Sequence, residues 1–167
     1  IARVLGMPYP GGAALDRCAH EGDPLKYPMP QPHLSGNPLD MSFSGLKTAA
    51  LNLIHTTQQK GECVDVPSLC ASFSRAVSQM LVPRTMDAVR STGYGKLAIA
   101  GGVAANSHIR AAFTELCGKE GIALYMPPLK LCGDNGAMIG AQGYYEYMAG
   151  HVAGQDLNAY ATMSMEG

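Results

Sequence analysis

Apolar positions recur at intervals of three and four along much of this chain, and proline and glycine punctuate the stretches between them. Leu46, Ala49, Ala50, Leu53 and Ile54 keep helical spacing through "SFSGLKTAALNLIHTTQQKGE". They predict a helix to about Gln59, with serines at its start suited to capping. A longer stripe of Leu69, Phe73, Val77, Met80, Leu81 and Val89 predicts a helix over 66–92. Pro67 falls in its first turn, where proline is tolerated, and Pro83 is expected to kink it. "AALDRCAHEG" predicts a short helix ending at Gly22, after a turn at residues 8–12, "PYPGG". From Asp23 to Asp40, five prolines and no periodicity predict an extended surface loop.

The pattern then changes. Residues 96–100 form a short apolar run that predicts a strand, separated from the long helix by "TGYG". A helix over 107–117, capped by Asn106 or Ser107, leads to a second strand in "GIALYMPP", closed by Pro127 and Pro128. Two strands joined through a helix predict a parallel pair in a right-handed βαβ unit. "GDNGAMIGAQGYYEYMAG" predicts a last helix with small residues along one side. The expected class is α/β, rich in helix, with a small parallel sheet.

Composition narrows the picture. The 167 residues are 47% hydrophobic and 15% charged, enough apolar content for one globular domain. A net charge of -1, with Lys and Arg scattered singly, argues against a basic nucleic-acid module, so any RNA contact must be local or shared with a partner. Cys18, Cys63, Cys70, Cys117 and Cys132 are odd in number and contain no CxxC pair. That argues against a disulfide framework and against a zinc knuckle, and suits a reducing cytoplasm. Neither a signal peptide nor a membrane-length apolar run is found. "IARVLGM" begins without Met and resembles the last turns of a helix, with Ile1, Val4 and Leu5 on one face. The expectation is a piece of a longer chain, cut inside an element.

Candidate chemistry gathers where strands hand over to helices. In "LAIAGGVAANSHIR", Gly101 and Gly102 follow the first strand, where open α/β sheets bind ligands and helix amides can cradle an anion. A plain tight turn with Asn106 as N-cap reads equally well. Asp134 in "CGDNGAMIG" is either a cap or a hard oxygen ligand for a metal beside a phosphate. His20, His33, His55, His108 and His151 read as isolated surface or structural residues, because no HxxxH or HExxH pair exists. Lys47, near a helix start, is unfavourable against the helix dipole and points to an anionic ligand or RNA phosphate, or to a solvated side chain. Gly11 and Gly12 can be a turn and nothing more. Met126 and Met138 read as core filler.

Taken in order, "YPGG", "MSFSGLKTA", "LAIAGGVAANSHIR" and "CGDNGAMIG" resemble the C-terminal half of the tRNA threonylcarbamoyladenosine transferase family, in its bacterial form. The likeness runs from Ile1 to about Gly150. It implies the C-terminal lobe of an actin-like (ASKHA, ribonuclease-H-like) ATPase fold over residues 1–150, with a helical insertion at about 41–92 and a tail at 151–167. It also implies transfer of a threonylcarbamoyl group from threonylcarbamoyl-AMP to the exocyclic amine of an adenosine beside the anticodon of tRNA. By the same resemblance, Gly12, Gly101, Gly102 and Asn106 contact the adenylate or an ATP-type ligand, and Asp134 binds one divalent iron or zinc ion. Lys47 is an anion or tRNA contact. Implied partners are tRNA, a paralogous (TsaB-like) subunit and a small (TsaE-like) ATPase, with no membrane involved.

The family's two metal histidines, in an HxxxH motif, and its first phosphate loop are not in this sequence. An acidic nucleotide contact is expected just before Ile1, and "GGA" stands where relatives carry "GGP". The resemblance also implies that this chain alone is inactive. The other readings are a non-catalytic interaction module on the same fold and another ASKHA-fold ATPase or kinase. No peptidase nucleophile signature is present.

Overall fold

The computed structural model describes residues 1–31 and 36–162, which places His33 outside the described residues. They form two compact units, 1–133 and from Asp134 onward. In the first, the order is α1 (Gly11–Ala19), α2 (Ser44–Gln59), α3 (Val66–Thr92), β1 (Lys96–Ala98), α4 (Ser107–Glu120) and β2 (Ala123–Tyr125). The second holds α5 (Gly136–Met148). Among the described residues no helix is long and apolar enough to cross a membrane.

Helix α3 is the spine of the first unit because its apolar residues serve three clusters in succession. Near its start, Cys70 and Ala71 pack against Leu15 and Ala19 of α1, with Ile1 and Leu5 alongside. In the middle, Ala76 and Met80 enclose Leu46 of α2. Towards its end, Val82 and Met86 meet Ile109, Phe113 and Cys117 of α4, with Leu97 and Leu124 of the strands against them. The α3 stripe therefore lies where its spacing predicts. The helix runs unbroken through Pro83, which is exposed, so the missing N–H deprives no buried partner.

Asp65 caps α3, its side chain accepting from the Ser68 amide, and Gly93 ends it at φ +72°. Two polar positions on the buried face have a reason the periodicity does not show. Ser68 Oγ accepts from the Asp23 amide at 3.1 Å, and Ser72 Oγ accepts from the Tyr27 amide at 3.2 Å. The proline-rich stretch is thus pinned along α3. The backbone crosses so closely at Gly22 that a Cβ there would stand 2.1 Å from the Pro67 carbonyl carbon.

β1 and β2 pair in parallel, Lys96 with Ala123 and Ala98 with Tyr125, and α4 connects them. This is the expected βαβ unit, with shorter strands. Gly101, at φ +85°, turns the chain out of the ladder within three residues. Other boundaries shift. Residues 2–6 form hydrogen-bonded turns rather than a helix end, and Val4 is exposed. Gly11 and Gly12 are the first residues of α1, not part of a preceding turn, and α1 stops at Ala19. The residue capping α2 is Phe43, with no side-chain cap from a serine. In the second unit α5 has no buried residue and Met138 is 49% exposed, so it is not core filler. A lone helix has no neighbour in its own unit to pack on.

Candidate functional site

The start of α4 is where the first unit concentrates its polar contacts. Asn106, in extended conformation, accepts from the Ile109 amide at 3.0 Å and so caps the helix. The Ser107 amide and hydroxyl both donate to the Asp16 carboxylate, at 3.1 and 3.0 Å. The anion at this helix N-terminus is therefore the protein's own Asp16, which suits the helix dipole. Of the first-turn amides of α4, that of Ser107 is thus engaged by Asp16 and that of Ile109 by the Asn106 cap. Asp16 stands one turn after Gly12 on α1, so the two share a face.

Arg110 stiffens the loop in front of the helix. Its guanidinium donates to the Ala104 carbonyl at 2.9 Å and to the Pro127 carbonyl at 3.2 Å. The 3-10 turn Gly102–Ala105 is thereby tied to the segment that follows β2. A Cβ built at Gly102 would meet nothing within 4 Å, and φ there is not positive. No internal contact and no backbone strain asks for glycine at that position. The same holds for Gly12, although a glycine in a helix costs about 0.5–1 kcal/mol relative to alanine. Gly11 differs: its Cβ would stand 2.6 Å from that of Ala2, so close packing requires it.

Gly12 and Lys47 line one hollow of about 440 Å³, together with Ile1, Leu15, Phe43 and Phe73. Lys47 is exposed and makes no ion pair among the described residues. A second hollow of about 480 Å³ is apolar, between β1, α3 and α4, with Leu81, Leu97, Val103 and Phe113 in its wall. The structure thus brings Gly12 and Lys47 together, and sets Asp16 of the Gly12 face against the helix that Asn106 caps.

Asp134 belongs to the second unit, where it is exposed. It does not cap α5: Asn135 does, accepting from the Met138 amide at 3.0 Å. Among the described residues Asp134 joins no group of three potential metal ligands. A single exposed carboxylate does not hold iron or zinc. The described residues of this chain therefore do not by themselves make up the metal site the resemblance implies.

Three of the histidines are not isolated. His20 and His108 stack, with ring centroids 4.8 Å apart, and their ring nitrogens lie with the Asp16 carboxylate in one group. The signal was in the sequence: Asp16 and His20 are four apart, which puts both on one helix face just as an HxxxH pair would be. A search for histidine pairs passes over the carboxylate version. His151 pairs with Glu146 at 2.6 Å in the second unit.

The first unit is thus a helix-rich α/β unit with a short parallel sheet, and its polar contacts gather at a strand-to-helix junction, where open α/β sheets bind ligands. Comparison with known sequences narrows it. The family model described as tRNA N6-adenosine threonylcarbamoyltransferase (TsaD) matches residues 1–141, and the chain belongs to that family, whose fold is of the ASKHA type. Relatives carrying that name include those of Moorella thermoacetica, 44% identical over 159 residues, and Streptococcus equi subsp. equi, 43% identical over 166. A third, from Anaeromyxobacter dehalogenans, is 45% identical over 161 residues. These alignments cover 95%, 99% and 95% of this chain but 46%, 48% and 47% of the relatives. The chain spans about half the length of the curated relatives it matches.

Proposed function

We propose that this chain forms one side of the adenylate cleft of an enzyme that transfers a threonylcarbamoyl group to adenosine in tRNA. In this reading residues 1–150 are the C-terminal lobe, 41–92 its helical insertion and 151–167 a tail. Family membership supports the reaction. The observation that carries the placement is that Gly12, bare without internal reason, opens onto a hollow whose cation, Lys47, has no ion-pair partner among the described residues.

The donor, threonylcarbamoyl-AMP, is a mixed anhydride and already activated. The N6 amine of the adenosine attacks the carbamoyl carbon; the new C–N bond forms as the C–O bond to phosphate breaks. AMP leaves with the electron pair, and the amine loses a proton. The protein must orient two reactants and offset charge on the leaving group. Gly12 and Gly102 let the adenylate lie against the backbone. Lys47 supplies positive charge to the phosphate or to tRNA. Asn106 contacts the nucleotide beyond its cap, and Gly101 sets the turn that presents it. Asp134 would hold a divalent iron or zinc ion only together with ligands outside this chain, and such an ion would supply Lewis-acid chemistry at the phosphate. A paralogous subunit and a small ATPase complete the system, and the chain alone is inactive because it supplies one side of the cleft.

Calorimetry of the full protein with a non-hydrolysable threonylcarbamoyl-adenylate analogue tests this reading. Asn106→Ala removes both cap and contact, costing about 1 kcal/mol of stability and the binding heat. Asn106→Asp keeps the cap but sets a negative charge against the ligand, so it loses the heat and not the stability. Unchanged binding in both variants would overturn the assignment.

A further inference from the structure

We propose that Asp16, His20 and His108 form a binding site for a first-row divalent metal ion, Zn²⁺ being the ion these donors suit best. It is distinct from any metal that Asp134 serves. The ligand atoms of the three side chains lie within 4.8 Å of one another. Asp16 lies on α1, His20 is the residue that ends it, and His108 is the second residue of α4.

Three observations point to an ion rather than to a chance cluster. The His108 Nε2 is buried and has no hydrogen-bond partner, a costly state for a ring nitrogen that a metal ion removes. The two imidazoles are held face to face, 19° from parallel, with no hydrogen bond between them. Asp16 is oriented by Ser107, whose hydroxyl also lies 2.7 Å from His20 Nε2. Such supporting hydrogen bonds are what fixes carboxylate and imidazole ligands around a metal.

The donor set selects the ion. Two imidazoles and one carboxylate suit Zn²⁺, whereas Mg²⁺ and Ca²⁺ want oxygen alone and Cu(I) wants sulfur. Metal–nitrogen distances of about 2.0–2.1 Å require the donors to draw together by an ångström or so. His20 is exposed just past the end of α1, so its ring can shift inward by giving up the Ser107 hydroxyl, and its open side leaves the fourth position to water. The ion would join α1 to the start of α4, fixing the Asp16–Ser107 contact. The proposal does not depend on the reaction assigned above.

The test is a titration of the metal-stripped full protein with Co²⁺, followed by its visible absorption and by displacement with Zn²⁺. Beyond any equivalent that depends on Asp134, one further equivalent should bind with the strong absorption of a four- or five-coordinate site. His20→Asn and His108→Asn should each weaken it by at least the roughly 10-fold that loss of a mere supporting partner costs. Asp134→Asn should leave this equivalent in place. In the Asp134→Asn protein Zn²⁺ should raise the melting temperature, and adding His20→Asn, a replacement at an exposed position that spares the core, should remove that rise. Wild-type titration in the His20→Asn protein, or no equivalent that depends on His20, overturns the proposal.

Discussion

Gly11 and Gly12 are adjacent, open the same helix and have ordinary φ, yet alanine should act in opposite directions at the two positions. At Gly12 a Cβ meets no heavy atom within 4 Å. The substitution removes freedom from the unfolded chain and adds no clash, a gain of about 0.4–1 kcal/mol. At about 2–4 °C per kcal/mol for a chain of this size, the melting temperature should rise by about 1–4 °C. At Gly11 the new methyl would stand 2.6 Å from the Ala2 Cβ, about 1 Å inside contact distance. Overpacking of that kind costs about 1–3 kcal/mol, which exceeds the entropic gain, so the melting temperature should fall by a few degrees. Thermal unfolding by circular dichroism measures both. In the full protein the stabilised Gly12→Ala variant should nevertheless bind the adenylate analogue at least about tenfold more weakly, as a methyl occupies the ligand's surface. A less stable Gly12→Ala, or one with undiminished affinity, would refute the reasoning that its bareness serves a ligand.

Further outcomes follow from the ionisable groups. Hydrogen bonds from the Lys26 ammonium and from Ser68 lower the Asp65 pKa from 3.8 to about 2. Because the folded value is the lower one, Asp65 stabilises fully above the unfolded value and loses that contribution as pH falls from 3.8 towards about 2. Asp65→Asn should flatten the fall in urea midpoint between about pH 5 and about pH 2.5, and an unchanged slope would count against the pair. Burial, with Cys18 beside it, pushes the Cys70 thiol up to about 12, while Cys63 is exposed. Iodoacetamide at about pH 8 should label Cys63 and spare Cys70 in the native chain, as read by peptide mass spectrometry. Native labelling of Cys70 would show that the α1–α3 contact opens.

Much of the secondary structure was legible because it is local. The stripes of α2 and α3 follow from spacing alone, and Leu46, Ala50, Ile54 and Met80 are buried as that spacing predicts. Asn106 as a cap follows from its place before an apolar run. Boundaries set by competition were not legible. Asn135 rather than Asp134 caps α5, and both are good caps, so sequence could not choose. Ser68 and Ser72 look like interruptions of a buried face until the loop that donates to them is in place.

The sequence by itself determined the helices, the parallel pairing implied by a strand–helix–strand order, and the family, since motif order survives in the chain as text. Only the tertiary structure decided which groups meet. It bonded Asp16 to the Ser107 amide and hydroxyl at the start of α4, set Gly12 beside Lys47, and stacked His20 on His108. Such encounters join residues far apart in the chain. They depend on how α1 packs against α3 and approaches α4, and no local propensity encodes that packing.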